Sequence, residues 1–397
     1  MSHRFILFLI LGIDALILFF QTSSLSISHA ETMVLYGDFS FLQLIIKTSM
    51  YFFGSNDFAL RLPMIILHLM SAYLLYKISK KYLKDRRNRL WLVLIFVLLP
   101  GVISSAIIVE SAGLIIFGLL LFVYVYENLS RKYGYFILSL YVILGGEFVY
   151  LFLALSIFAI YTKQRAFFIF NMVAFFISIY IYGVDTQGIP KGHFLDSIAV
   201  YTAIFTPIIF IYIFYILYRR YLTKDIDILW FISSVAFVFS LLLSFRQRIE
   251  LEHFAPYLIL ALPLAGEMFY HSYRVRLKVF RTKYRVAFIV SLVFLVLNSL
   301  VVFFNKELYL VLDNPKKHFA YNMHVAKELA QELKHRGIEC VDTDTQMLSR
   351  LKFYGVTNCN TTLLVENSSI EEEESSVTIS YKNRAVYHAS VTNVNIN

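Results

Sequence analysis

The sequence predicts an α-helical polytopic membrane protein with a small C-terminal extramembrane α/β domain. The mean hydropathy is +0.66. Of the 397 residues, 58% are hydrophobic and only 16% are charged, which is far from the composition of a soluble domain. Long apolar segments follow one another as far as residue 304 and then stop. We therefore divide the chain into a transmembrane domain, residues 1–304, and an extramembrane domain, residues 305–397.

The apolar segments predict about 11 transmembrane helices, several of them shorter than the ~20 residues that cross a bilayer unaided. The first segment has no small-residue cleavage site and is interpreted as a retained helix. The two segments that meet at Gly145 and Gly146 could also form one bent span. The predicted spans are Phe5–Gln21, Leu62–Ile78, Leu90–Val109, Gly113–Tyr126, Tyr133–Leu144, Phe148–Tyr161, Phe167–Gly183, Ile198–Tyr218, Ile226–Phe245, Phe254–Tyr270 and Val286–Phe304.

Lysine and arginine are concentrated in one alternating set of loops, which predicts that these loops are cytoplasmic. The opposite side then carries the loop 26–63, Glu110, the loop 184–197, the turn 246–253 and, with an odd number of spans, the C-terminus. Because the cations lie in membrane-flanking loops, the net charge of +9 does not indicate nucleic-acid binding. The basic clusters are Lys77–Arg89, Arg131–Lys132, Lys163–Arg165, Arg219–Lys224 and Arg274–Arg285.

The first outer loop, Ser26–Pro63, is unusually long, and ordering it costs conformational entropy that an interaction or a function must offset. Within it, Phe39–Phe53 is apolar on one face and is interrupted by Lys47 and Ser49. This pattern predicts an amphipathic helix that lies in the membrane interface.

The composition beyond residue 304 predicts a small α/β domain. Cys340 and Cys359 both lie in it, and their spacing leaves open whether they form a disulfide or remain free thiols. The acidic run Glu371–Glu374 is interpreted as a solvated loop. The predicted helices are Phe319–His335 and Thr345–Phe353, and the predicted strands are Ile338–Val341, Thr362–Val365, Val377–Tyr381 and Ala385–Val391, the last two as a hairpin.

Two stretches resemble a known family. The first, residues 53–63, has the sequence FGSNDFALRLP and follows an acidic residue and a segment predicted to be interfacial. The second, residues 252–263, has the sequence EHFAPYLILALP and follows two arginines. Both resemble phrases of the C-type glycosyltransferases that use polyprenyl-phosphate donors, in the group of the protein mannosyltransferases and aminoarabinose transferases. Those enzymes usually open the loop with an Asp-Glu pair, whereas this chain has only Glu31.

The resemblance implies a multi-pass enzyme of the bacterial inner membrane that moves a sugar from a polyprenyl-phosphate-linked donor to an envelope lipid, glycan or protein. Its partners would be membrane lipid, the donor and the acceptor, with no nucleic acid. No cofactor is identified, and a divalent cation is left open. Two alternatives remain: a transporter or flippase, which would more often carry charges within several spans, and a non-catalytic member of the family.

Two carboxylates are candidates for catalysis, which needs a base for the acceptor hydroxyl. By its position as the first carboxylate after the first span, Glu31 is the candidate for this base; the alternative is a solvated loop residue. Glu110 is the charged residue between the third and fourth spans, where the family carries an acidic residue, and this match implies that it helps to position the acceptor or a metal; the alternative is a simple interfacial turn. Asp14 lies within the first span, and we interpret it as a hydrogen-bonded structural residue.

Four residues are candidates for binding the donor phosphate. Arg246 and Arg248 stand two apart in FRQRIELEHFAPY, and guanidinium groups bind phosphate oxygens bidentately. His253 follows them in the family-like phrase. Arg61 is the fourth, and it could instead anchor the first outer loop through Asp57 or Glu31. A local salt-bridge network is the alternative for the arginine pair.

Overall fold

The computed structural model describes residues 3–183, 192–366 and 376–393, and the part up to residue 303 is a helical bundle. Single 3₁₀ turns at Gly146–Phe148 and Leu251–His253 interrupt it. The helices are α1 His3–Ser24, α2 His29–Tyr36, α3 Phe41–Phe53, α4 Asp57–Ile78, α5 Arg86–Leu98, α6 Pro100–Ile107, α7 Ser111–Asn128, α8 Arg131–Leu144, α9 Val149–Tyr161, α10 Arg165–Tyr182, α11 Phe194–Phe205, α12 Pro207–Thr223, α13 Ile228–Ser244, α14 Ala255–Leu258, α15 Ala261–Val275 and α16 Lys278–Phe303.

The helices are those expected of a polytopic membrane protein. In the described residues, five of them (α1, α4, α7, α10 and α16) are long and apolar enough to cross a membrane. The number rises to seven if α5 with α6, bent by 63°, and α11 with α12, bent by 107°, each form one span. Helices α3, α9 and α13 are apolar but shorter. The figure of about 11 spans therefore stays a prediction.

Three predicted spans are broken in the structure, and the other eight each correspond to one helix. Leu90–Val109 breaks at Leu99 and Ile198–Tyr218 breaks at Thr206. Each break falls on the residue before a proline, where ring contacts disfavour the helical conformation. The third, Phe254–Tyr270, is divided between α14 and α15.

The first outer loop contains two helices, α2 and α3, and it ends where α4 begins. The predicted interfacial helix is α3; it begins after Ser40, whose side chain accepts a hydrogen bond from the Gln43 amide, and ends at Gly54 with φ of 82°. Its outward face is exposed, with Tyr51 85% accessible. The left-handed backbone of Gly54 explains why the helix ends at Phe53, the first residue of the family-like phrase.

Ser49 of α3 bonds the backbone of α4 next to Pro63, the last residue of the family-like phrase. Pro63 has no amide hydrogen, so the Ala59 carbonyl, one turn earlier in α4, loses its partner within the helix. The Ser49 hydroxyl donates a hydrogen bond to this carbonyl at 2.7 Å. The proline is thereby accommodated inside α4, and the position of α3 is fixed.

Asp14 lies in α1 and is hydrogen-bonded, as expected for a carboxylate within a span. Its Oδ2 is 2.7 Å from Nε2 of His68 in α4, and both side chains are buried. The pair therefore joins two of the membrane-crossing helices.

Within the described residues, the C-terminal part has two α-helices and a three-stranded antiparallel sheet, in which the strand Arg384–Asn393 lies between Thr362–Glu366 and Ser376–Tyr381. Helix α18 coincides with the predicted Thr345–Phe353, and the hairpin is present. Cys340 and Cys359 form a disulfide. The elements are α17 Ala326–His335, α18 Thr345–Phe353, β1 Thr362–Glu366, β2 Ser376–Tyr381 and β3 Arg384–Asn393.

Two predictions for this part need correction. The helix predicted from Phe319 begins only at Ala326, because the preceding residues form 3₁₀ turns in which His324 turns inward to bond the Tyr309 hydroxyl at 2.9 Å. Ile338–Val341 is not a strand of the sheet; it makes isolated bridges only. The run Glu371–Glu374 lies outside the described residues.

The C-terminal part has its own hydrophobic core and also packs on the first outer loop. Phe353 joins Ile27, Leu35 and Ile46 in a small core between the two parts. The Ser26 amide donates to the Met323 carbonyl at 2.8 Å. The division at residue 304 stays a prediction.

The distribution of cations predicts the orientation of the bundle. A reporter fused after Asn397 should be active only outside the cytoplasm, and one inserted between Lys80 and Arg89 only inside it. Paired alkaline phosphatase and green fluorescent protein fusions provide the measurement, each serving as the control for the other. The reverse pattern would place every candidate site residue on the cytoplasmic side.

Candidate functional site

Glu31 is fully buried, and both of its carboxylate oxygens are engaged. Ser28 caps α2: its hydroxyl accepts from the Glu31 amide at 3.2 Å, and its own amide donates to Glu31 Oε2 at 2.8 Å. Arg61 donates to both oxygens, at 3.2 and 2.9 Å. The Val109 amide donates to Oε1 at 3.2 Å. Each oxygen thus accepts two hydrogen bonds, which holds the carboxylate in a single position.

Arg61 is also fully buried and ties together three segments of the chain. It donates to the Leu25 and Ser26 carbonyls at 3.1 and 2.9 Å, directly after α1. It also lies 3.8 Å from Asp57 in its own helix. Both anchoring contacts expected for Arg61, to Glu31 and to Asp57, are therefore present, while its binding of a donor phosphate stays a prediction.

Glu110 lies in the turn between α6 and α7, next to the Val109 amide that bonds Glu31. It occupies the N-cap position of α7 without forming a side-chain cap. The side chain is half-buried and makes no hydrogen bond within the part of the chain that the structure describes. Burial is the largest cause that raises the pKa of Glu110, and together with the charges of Glu252 and Glu31 it brings that pKa to about 8. A carboxylate with such a pKa suits a general base near neutral pH.

The 3₁₀ turn Leu251–His253 packs against the start of α7 and supplies the second wall of this site. His253 Nδ1 lies 3.4 Å from the Ser111 hydroxyl, and its Nε2 lies 3.3 Å from Glu250. Glu252 is exposed in the same turn, and desolvation of its carboxylate raises its pKa. We use "carboxylate cluster" for the set Glu31, Arg61, Glu110, Glu252 and His253.

Arg246 and Arg248 lie in the connection that leads from α13 into the same 3₁₀ turn. Both are exposed. Neither side chain forms an ion pair or a hydrogen bond within residues 3–183, 192–366 and 376–393, so no salt-bridge network is seen there; Glu250 pairs with His253 instead. The structure brings Glu31, Arg61, Glu110 and His253 together. Arg246 and Arg248 precede His253 by a few residues in the sequence, but their side chains do not contact these four residues.

No ligand set for a metal ion can be named. Within the described ranges, no group of three or more His, Cys, Asp or Glu side chains is placed to hold one.

Reasoning from the sequence missed how the C-terminal part reaches the outer loop. The Tyr354 hydroxyl donates to Asp57 at 2.6 Å and accepts from the Ile27 amide at 2.8 Å. Lys327 pairs with Asp57 at 2.8 Å, and Arg350 donates to the Ile27 carbonyl at 3.0 Å. Contacts between residues about 300 positions apart leave no local sequence signal.

One missed feature did have a sequence signal. Ser28 and Glu31 form a capping box, and its S-x-x-E spacing stands in the sequence as SHAE, residues 28–31. It would have indicated that a helix begins directly after Ser28, with Glu31 in its first turn.

Comparison with known proteins shows the fold. No protein-family model matches the sequence, and no curated protein matches it. Among solved structures, the crystal structure of ArnT from Cupriavidus metallidurans bound to undecaprenyl phosphate is similar, with a TM-score of 0.60 and 11% sequence identity. The similarity covers 100% of this chain and 99% of that one. The fold implied by the resemblance in sequence is therefore confirmed over the whole chain.

The buried ion pair predicts a strong, coupled effect on stability. Removing one partner leaves an uncompensated buried charge, so Glu31→Gln and Arg61→Gln should each lower the free energy of unfolding by about 3–5 kcal/mol. The double variant should be no less stable than the worse single one. Denaturation of the purified full chain in detergent provides the measurement, with Asp38→Asn, an exposed carboxylate of the same loop, as the control. Additive losses, or single variants as stable as the control, would contradict the pairing.

Proposed function

We propose that this chain is an integral-membrane glycosyltransferase that moves a sugar from a polyprenyl-phosphate-linked donor to an envelope lipid, glycan or protein on the non-cytoplasmic face of the bacterial inner membrane. The observation that carries the proposal is Glu110, a half-buried carboxylate without a hydrogen-bond partner in the described residues, whose pKa is raised to about 8. The fold shared with ArnT, solved with undecaprenyl phosphate, supports a lipid-phosphate ligand.

We assign the base to Glu110 and a positioning role to Glu31. Glu31 has two hydrogen bonds on each oxygen, so it would have to break several of them to reach an acceptor. Glu110 has no such constraint, and the Val109–Glu31 hydrogen bond holds its backbone in place.

The reaction that we propose needs no general acid. The acceptor hydroxyl oxygen forms a bond to the anomeric carbon while the bond from that carbon to the phosphate oxygen breaks. The phosphate keeps the electron pair and leaves as the polyprenyl phosphate, and the hydroxyl proton passes to Glu110. Cations near the leaving phosphate stabilise the charge that develops there.

Arg246, Arg248 and His253 are the groups that we propose for that phosphate. The two guanidinium groups have no carboxylate partner among the described residues, so they are free to bind an anion. Both are exposed, and both lie in the connection that leads to the 3₁₀ turn with His253, so a phosphate could reach them without displacing other side chains.

The direct test is to compare envelope glycolipids and glycoproteins by mass spectrometry in cells with and without the gene. We expect one component to lose the mass of a sugar when the gene is absent. Proteoliposomes with the full chain and a radiolabelled undecaprenyl-phosphate sugar should then transfer label to that component. An unchanged envelope, or label that crosses the membrane without transfer, would contradict the proposal; the second result would indicate a transporter.

Replacing the base should change both the rate and its pH dependence. The base must be ionised, so the rate of the native chain should rise with pH up to about 8 and level off above it. Glu110→Gln should be slower by about 10²–10⁴-fold and lose this rise. The control is Glu127→Gln, at the other end of α7, where the carboxylate pairs with Lys81 at 2.7 Å. A Glu110→Gln rate equal to the control's would exclude this base.

Removing the two guanidinium groups should weaken use of the donor. Arg246→Gln with Arg248→Gln should raise KM for the donor by about tenfold or more per residue, because charge-assisted hydrogen bonds are lost. Lysine at both positions should restore activity only in part, since the bidentate geometry is missing. Steady-state kinetics, with Arg131→Gln and Lys132→Gln as the charge-matched control, provides the measurement; an unchanged KM would remove the pair from the site.

A further inference from the structure

An apolar groove of about 540 Å³ lies at the end of the bundle opposite to the carboxylate cluster. Helices α5, α12, α15 and α16 form its walls. The placement follows from α7, which runs from Glu110 at the cluster to Glu127, whose partner Lys81 precedes α5. The groove therefore takes no part in the site already described.

The interior of the groove is aromatic and aliphatic. Trp91 and Phe288 meet edge to face across it, with ring centroids 5.7 Å apart, and Tyr212 and Phe269 also line it. A volume of this size lies within the range of sites that bind small ligands, and its lining suits a hydrocarbon chain.

A dense set of cations lies in the segment RVRLKVFRTKYR, residues 274–285, whose Tyr284 and Arg285 line the groove. It holds six lysines and arginines and no acidic residue. None of the six forms an ion pair with a carboxylate in the part of the chain that the structure describes. Such a set of uncompensated cations favours an anion as the occupant.

Apolar side chains alternate with these cations and face outward. Val275, Leu277 and Val279 are 71%, 72% and 80% accessible. The cation bias of cytoplasmic loops explains the charges, but it gives no reason for exposed aliphatic residues between them. Alternating basic and apolar side chains are typical of a segment that rests in the headgroup region of a membrane.

Arg285 lies where the groove meets this segment. It lines the groove and donates a hydrogen bond to the Tyr273 hydroxyl at 3.3 Å. The neighbouring Arg276 guanidinium lies 4.2 Å from the centre of the Tyr284 ring, and Tyr284 also lines the groove. Aromatic contacts thus hold two cations at the entrance.

We propose that this groove binds an anionic glycerophospholipid of the surrounding membrane, with an acyl chain between α5 and α16 and the phosphate on Arg285 and Arg276. A zwitterionic lipid would bring its own cation into a set of six positive charges, so it should bind less well. The site is separate from the carboxylate cluster, and the proposal does not depend on sugar transfer.

Native mass spectrometry of the full chain, extracted from nanodiscs of equal parts phosphatidylglycerol and phosphatidylcholine, tests the proposal. The native chain should retain phosphatidylglycerol in preference to phosphatidylcholine. Arg276→Gln with Arg285→Gln should reduce that preference by about fivefold per cation removed. Ala287→Trp, which fills the groove without altering a charge, should reduce retention of both lipids.

Arg131→Gln with Lys132→Gln removes the same charge from another basic loop and should leave the preference unchanged. Equal retention of the two lipids by the native chain would overturn the proposal. So would an Ala287→Trp variant that retains phosphatidylglycerol as the native chain does, since the lipid would then bind the cations without entering the groove. Circular dichroism of each variant verifies that it is folded.

Discussion

The end of the bundle that holds the carboxylate cluster depends on the buried ion pair between Glu31 and Arg61. Transferring two charges from water into a protein interior is costly unless every hydrogen-bonding group is satisfied. Here Glu31 accepts four hydrogen bonds, and Arg61 additionally holds the two carbonyls that end α1. The pair thereby joins α1, α2, α4 and the turn before α7.

The effect of the ion pair extends beyond packing, because the charge of Glu31 is one of the causes that raise the pKa of Glu110. The same carboxylate thus orders the site and tunes the base that we propose.

The C-terminal part completes this network. Asp57 lies 3.8 Å from Arg61 and also binds Tyr354 and Lys327, so the polar contacts run from the buried pair directly into α17 and α18. Arg350 adds a hydrogen bond to the Ile27 carbonyl. Ordering a loop as long as residues 26–63 costs conformational entropy, and these contacts from a distant part of the chain help to offset it. The C-terminal part is therefore a support of the candidate site, in addition to having a core of its own.

Much of this architecture could be predicted from the sequence wherever the signal is local. Helices α3 and α18 follow from periodicity and from capping residues such as Ser40 and Gly54, while the interfacial position of α3 stays a prediction. The breaks in two predicted spans could also have been predicted, because each falls on the residue before a proline, where the helical conformation is disfavoured. The environment of Glu110 could not be predicted from the sequence. It depends on Glu31 and Glu252, which are remote in sequence, and burial, the largest cause of its shifted pKa, is set only by the folded bundle.

The central claim is that a polyprenyl phosphate binds at the carboxylate cluster with the arginine pair beside it. Photo-crosslinking tests it most directly, with an undecaprenyl phosphate that carries a diazirine on the first isoprene unit and with the full chain in proteoliposomes. Peptide mass spectrometry should locate the label within residues 245–255 or around Glu110, and an excess of unmodified undecaprenyl phosphate should abolish it. Label found only in residues 262–295, along the apolar groove at the other end of the bundle, would contradict the account, as would label that the unmodified lipid does not displace.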